Sequence, residues 1–323
     1  MTKARENSDY TGLAADIAAG DTAARAGRKN LIINGAMNVA QRGTSQTAGG
    51  YGSLDRWRLA LSGASATLSQ ETFTVGQTDV PNEPENYMKL NVTTGNNNCG
   101  FEYRVENVRS VVGVHTLSFW AKGVNPAGGE VIVKGEQRFD NSTNEVQITG
   151  DEITLTTSWQ KFTISMTPTS LTGTGTPGAS SYVRLQFLQP TGDTGTAAWN
   201  INIAQVQLEL GSVATDFEHR SYGEILADCQ RYYEIIKAAS AWSWTSSTGA
   251  RIYGQFRTEK RASPSVSGSP IIIGNGNSAY TQSSFAGPST TAYGFDGYCY
   301  NFTSVTTARP YTVLSTMNFD AEL

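Results

Sequence analysis

Trp199-Asn200-Ile201-Asn202-Ile203-Ala204-Gln205-Val206-Gln207-Leu208-Glu209-Leu210 is the stretch that decides the fold. Ile201, Ile203, Val206, Leu208 and Leu210 largely alternate with Asn202, Gln205, Gln207 and Glu209, the period of a strand with one face in a core. The alternation slips at Ala204-Gln205, which predicts a β-bulge. Outward from this run, strand-like pieces at 117–121, 131–133, 159–164 and 183–187 are separated by turns of Gly, Asn, Pro and Thr. From Asn30 to about Glu218 the pattern is thus many short strands with little helix, and it predicts a mainly β, antiparallel sandwich.

Composition supports that class. Of 323 residues, 38% are hydrophobic and only 16% charged, against about 25% charged in an average domain, which excludes a coiled coil and disfavours a helical bundle. With 24 basic and 28 acidic residues and no basic cluster, nucleic acid is not an expected partner. The start of the chain has no apolar run behind its basic residues, and no stretch approaches the ~18 apolar residues of a membrane helix, so neither a signal peptide nor membrane insertion is expected. Cys99, Cys229 and Cys299 lie far apart without CxxC spacing and read as free thiols.

Four segments follow. Residues 1–29 are polar and Ala-rich, too short to fold alone, and read either as a disordered arm or, the preferred reading, as a piece that orders on another protein. Residues 30–220 hold the sandwich. Residues 221–238 read as a helical neck: Ser221 and Glu224 fit a capping box, and Ile225, Cys229, Tyr232 and Ile236 fall at intervals of four, three and four, one apolar stripe. That stripe packs either on the chain's own sandwich or on other copies in a three-chain neck. Residues 239–323 return to strand-like runs and form a small β tip whose core would be marginal without neighbours.

Chemistry is thin. Glu71, Glu102, Glu106, Asp140, Asp151 and Glu152 are scattered and read as solvated acids rather than a catalytic pair. With His115 and His219 as the only histidines, a His-based triad or metal site lacks material, so catalytic and metal-ligating residues are expected to be none. Gly49-Gly50-Tyr51-Gly52 has no GK[ST] after it and reads as a flexible loop. Aromatic side chains are plentiful, with 6 Trp, 14 Tyr and 12 Phe. Rings stack on the apolar faces of sugars while Asn, Gln, Ser and Thr bond the hydroxyls, which suits glycan binding. In the sandwich the candidates are Tyr51 and Tyr87; in the tip they are Trp242, Trp244, Tyr280, Tyr293 and Tyr298, set among small polar residues. The tip is preferred because an arm at one end of the chain would hold the tip farthest from whatever the arm joins.

Asn30-Leu31-Ile32-Ile33-Asn34-Gly35-Ala36-Met37-Asn38-Val39-Ala40-Gln41-Arg42-Gly43, followed by Leu54-Asp55-Arg56-Trp57, resembles the opening strand of a module found in phage tail proteins. Residues 204–211 and 214–220, running into Cys229-Gln230-Arg231-Tyr232-Tyr233, resemble the closing strand and helix of the same family. Residues 117–123 and 158–162 resemble carbohydrate-binding modules of families 4 and 9, which are jelly rolls. Residues 254–257, 261–264 and 320–323 are also similar to phage proteins of this kind. Where those modules carry an Asp supporting a structural Ca2+, this chain has Asn202 and Ala204, which counts against the ion; no cofactor is expected.

The resemblance implies a jelly roll and a virion tail fibre or receptor-binding protein that attaches to host cell-surface glycan. It would be a homotrimer, made in the host cytoplasm and joined to the tail or an adaptor through residues 1–29, and it would not be an enzyme. The alternatives are a structural head fibre or decoration protein, and a polysaccharide-degrading fibre.

Overall fold

The computed structural model describes residues 29–96, 99–139, 145–168, 177–190, 197–236, 240–243, 250–267, 271–274, 279–282, 286–299, 310–313 and 316–322. The expected arm at 1–28 and the Asp140 and Trp244 positions lie outside them. The first eleven strands are β1 (Ser45–Gln46), β2 (Trp57–Ala60), β3 (Ser65–Thr72), β4 (Asn86–Thr94), β5 (Gly100–Glu106), β6 (His115–Val124), β7 (Val131–Arg138), β8 (Val146–Ile153), β9 (Gln160–Met166), β10 (Tyr182–Leu188) and β11 (Trp199–Leu210). They form two antiparallel sheets in the order β1-β3-β4-β11-β6-β9 and β2-β5-β10-β7-β8, the expected jelly-roll sandwich.

Alternation places the core. On β2, β5 and β10 the inward residues are Trp57, Leu59, Phe101, Tyr103, Val183, Leu185 and Phe187; from the other sheet come Leu90, Phe119, Ile201, Ile203, Val206 and Leu208. Phe101 stacks on Phe187 at 4.7 Å and Trp57 meets Tyr103 edge-on at 5.0 Å. The bulge lies where the alternation slips, between Ala204 and Gln207, with Gln205 at φ +50. Val206 N there donates to Gly35 O at 3.0 Å. Asn30 Oδ1 accepts from Leu208 N at 3.1 Å, and its Nδ2 donates to Val206 O at 3.0 Å, so the opening segment closes the strand's free edge.

The helix α1 spans Tyr222–Gln230, and its capping box is present: Glu224 N donates to Ser221 Oγ, and Ser221 N to Glu224 Oε2. It is shorter than the neck expected over 221–238. Tyr233–Ile236 is instead a strand, β12, because its aromatic and β-branched residues suit a ladder and find one. Nor is the stripe turned to another subunit: Ile225 and Cys229 are buried against Val39 and Ile33, Tyr232 is covered by the sandwich, and Ile236 pairs with Met317.

The rest of the chain carries β13 (Ser240–Ser243), β14 (Ala250–Gln255), β15 (Ser265–Ser267), β16 (Ile271–Gly274), β17 (Ala279–Gln282), β18 (Ala286–Thr290), β19 (Gly294–Cys299), β20 (Pro310–Val313) and β21 (Met317–Asp320). A three-stranded sheet runs β12-β21-β15 and a seven-stranded one β17-β16-β20-β13-β14-β19-β18. Phe256, Phe295 and Phe319 give this region its own aromatic contacts, at 4.5 to 5.8 Å. Its last strand does not point away from the sandwich, as a distal tip would. Arg42 Nη2 lies 3.0 Å from Asp320, and buried Arg56 pairs with Glu322. Arg42 and Arg56 also lie over the rings of Tyr233 and Tyr232, at 3.6 and 3.5 Å. Burial works against the Arg42 cation, but Glu322, Asp320 and Asp55 outweigh it and raise its pKa.

Candidate functional site

A concavity with convergent polar groups lies on the outer face of the five-stranded sheet, a groove of about 370 Å³. The alternation that sends Phe101 and Tyr103 inward sends Glu102 and Arg104 outward, and likewise Lys134, Glu136 and Arg138 on β7, and Arg184 and Gln186 on β10. Register then aligns them in rows. Arg58, Glu102, Gln186 and Lys134 stand side by side across β2, β5, β10 and β7. Two residues along, Arg104, Arg184, Glu136 and Gln147 do the same across β5, β10, β7 and β8. Such a row of four strands spans about 14 Å.

Two carboxylates anchor the face. Glu102 accepts from Arg58 Nη1 at 3.2 Å and Arg104 Nη2 at 2.7 Å, with Arg184 Nη1 at 3.5 Å. Glu136 accepts from Arg184 Nε at 2.9 Å, with Arg138 Nε at 3.3 Å, and Arg138 pairs onward with Glu145. Glu102 was expected to be a solvated acid, yet it is 1% exposed, because guanidinium groups from three strands close over it. A glycosidase needs two carboxyl groups free to face the scissile bond, whereas both of these are taken up by ion pairs with arginine side chains. The face is built to hold polar groups in place. Gln147, Gln186 and Lys134 complete the lining, and among the described residues their side chains have no hydrogen-bonding partner.

The residues singled out in the sequence lie elsewhere. Tyr51 is half-buried, and its loop is pinned rather than flexible, with Gln46 Nε2 donating to Gly50 O and Gln46 Oε1 accepting from Gly52 N and Ser53 Oγ at 2.7 to 2.8 Å. Its hydroxyl is buried, and that burial, with Glu322 nearby, pushes its pKa up. Tyr87 is half-buried on the outer face of the other sheet, 4.8 Å from Phe73 and 5.5 Å from Trp159, whose ring faces Lys122 Nζ at 5.0 Å. The cleft beside that cluster, between Trp120 and Phe217, is about 50 Å³, far below the roughly 300 Å³ of a small ligand pocket. Tyr293 is 68% exposed in the turn before β19. Trp242, Tyr280 and Tyr298 fall in β13, β17 and β19, but their side chains lie outside the described residues. Trp57 and Trp199 are core.

At the position where a calcium ligand would be expected, Asn202 Nδ2 donates to Lys122 O at 3.3 Å and Ala204 offers no side-chain oxygen. Among the described residues no group of three or more His, Cys, Asp or Glu side chains could hold a metal, and no helix is long and apolar enough to cross a membrane.

No family model and no curated protein matches this chain. Among solved structures, similarity is found to a protein of Bacteroides thetaiotaomicron described as sugar-binding, at 15% identity over 57% of this chain and 100% of that one, with a TM-score of 0.37. A family 11 carbohydrate-binding module of a Clostridium thermocellum cellulase is 14% identical over 53% of this chain and 96% of its own, with a TM-score of 0.32. The enzymatically active domain of tailspike protein 4 of bacteriophage CBA120 is 12% identical over 56% of this chain and 21% of its own, with a TM-score of 0.34. Likeness at these identities and TM-scores assigns neither activity nor ligand.

Proposed function

We propose that this protein is a bacteriophage tail fibre or receptor-binding protein that attaches the virion to host cell-surface glycan and does not cut it. The observation that carries the binding half is the groove on the five-stranded sheet. Its side chains are pre-positioned by register and ion pairs, and Gln147, Gln186 and Lys134 are left to bond a hydroxylated ligand. The virion half rests on the resemblance of residues 30–57, 204–233 and 320–323 to phage proteins. In this reading residues 1–29 join an adaptor or tail protein and the assembly is a homotrimer on the virion. Labelled protein applied to an array of bacterial surface polysaccharides should be retained by a subset of spots without releasing reducing ends. Release would make it a polysaccharide-degrading fibre, and no retention would remove the receptor role.

A second reading, a head fibre or decoration protein using the sandwich as a spacer, is favoured by one observation. Arg42, Asp55, Arg56, Tyr232 and Glu322, all within the segments that resemble phage proteins, meet in the buried joint and not in the groove. Labelling the protein on intact particles separates head from tail.

A further inference from the structure

The charged side chains that line the groove balance in number, Arg58, Lys134 and Arg184 against Glu102, Glu136 and Glu145. Two further guanidinium groups, those of Arg104 and Arg138, reach Glu102 and Glu136 from outside the lining. The carboxylates are consumed by the arginines. Glu102 is engaged by three guanidinium groups and Glu136 by two, and both are almost fully buried, so they present little negative charge to a ligand. Lys134 is different: it lines the groove beside Gln186 in the register, and among the described residues no carboxylate lies within ion-pair distance of it. The other acidic residues near β7, Glu130, Asp151 and Glu152, are not part of the groove lining. No aromatic ring lines the groove either, so recognition there works through charge and hydrogen bonds rather than stacking.

We infer that the groove selects an acidic glycan, one whose sugar hydroxyls are bonded by Gln147 and Gln186 while a carboxylate or phosphate on the sugar pairs with Lys134. An ammonium with no internal partner, flanked by a compensated arginine layer, gains a charge-assisted bond to such a group. A neutral glycan would leave that cation without a counter-charge. This inference rests on the glycan-binding reading above and adds to it the ligand's charge class.

The test is an array on which each acidic bacterial polysaccharide is printed beside its carboxyl-reduced and its dephosphorylated form, probed with the full chain at low and high salt. Binding should favour acidic spots, fall when the relevant acid group is removed and weaken with salt. The form that loses binding tells a carboxylate from a phosphate. Lys134→Gln should weaken binding to the retained spots roughly tenfold, while Lys89→Gln on the other sheet leaves it unchanged. Equal retention of acidic and neutral forms, or a Lys134→Gln protein that binds as the native one does, overturns the acidic class while leaving glycan binding intact. No retention on any spot overturns both.

Discussion

Val206 sits against Gly35, and the two show how little freedom the bulge leaves. A Cβ added to Gly35 would lie 2.1 Å from Val206 O, so backbone must move to admit it. Gly35→Ala is expected to lower unfolding free energy by about 3 kcal/mol, the upper part of the range for overpacking, measured by urea denaturation. In Gly223, within the first turn of α1, the same change meets nothing within 4 Å and should stabilise slightly, by up to about 1 kcal/mol. Asp55 offers a prediction of a different kind. Burial pushes its carboxyl from 3.8 to about 6, despite the bonds from Gln41 and the nearby Arg42 that favour the charge. The folded state therefore binds this proton more tightly than the unfolded chain does, and the contribution of Asp55 to stability grows as pH falls from above 6 toward 4. The difference in unfolding free energy between the native protein and Asp55→Asn should move in favour of the native protein by roughly 3 kcal/mol between about pH 7 and about pH 4. A difference that stays flat with pH would show that Asp55 does not titrate in this window.

Among the elements, strand β11 was legible down to its bulge, since alternation reports directly which side chains enter a core and where the phase slips. The outer faces were not legible. A polar residue at an alternate position is known to point away from the core, but not what covers it there. Glu102 reads as a solvated acid until register brings Arg184 to it from 82 residues away. The groove was therefore missed, although charged residues at every second position of β5 and β7 were the visible signal. The stripe of α1 failed for a related reason. Tyr232 and Ile236 continue a helical spacing, yet the helix ends at Gln230 and the same residues enter a turn and a strand. Because Ile225 faces Val39 and Ile33 within its own chain, Ile225→Ala should cost roughly 2–5 kcal/mol of stability while leaving the sedimentation coefficient of the native assembly unchanged. Dissociation at unchanged unfolding free energy would return the stripe to a subunit interface.

For the molecule as a whole, the joint between the first and last segments explains how a C-terminal region with a small aromatic core is held. Arg231 and Tyr232 Oη both donate to Glu106 on β5, and burial of that carboxyl is outweighed by these bonds, which lower its pKa. Lys260 Nζ donates to Gln230 O and Glu234 Oε2, both at 2.6 Å, fastening the end of α1 to the C-terminal strands. The central pair is Arg56 with Glu322, two charges from opposite ends of the described chain, each with a side chain no more than 5% exposed. Removing one member of such a pair leaves an uncompensated buried charge, which typically costs about 3–5 kcal/mol. Glu322→Gln should therefore unfold at markedly lower urea concentration and expose the region after Gln230 to trypsin before the sandwich is cut. Asp320 makes the instructive contrast, because it also pairs with Arg42 but its side chain is 39% exposed, so water can replace it. Asp320→Asn should cost about 1 kcal/mol or less. If both variants unfold like the native protein, the C-terminal segment is held by its own sheets alone and the buried pair contributes nothing to joining the two regions.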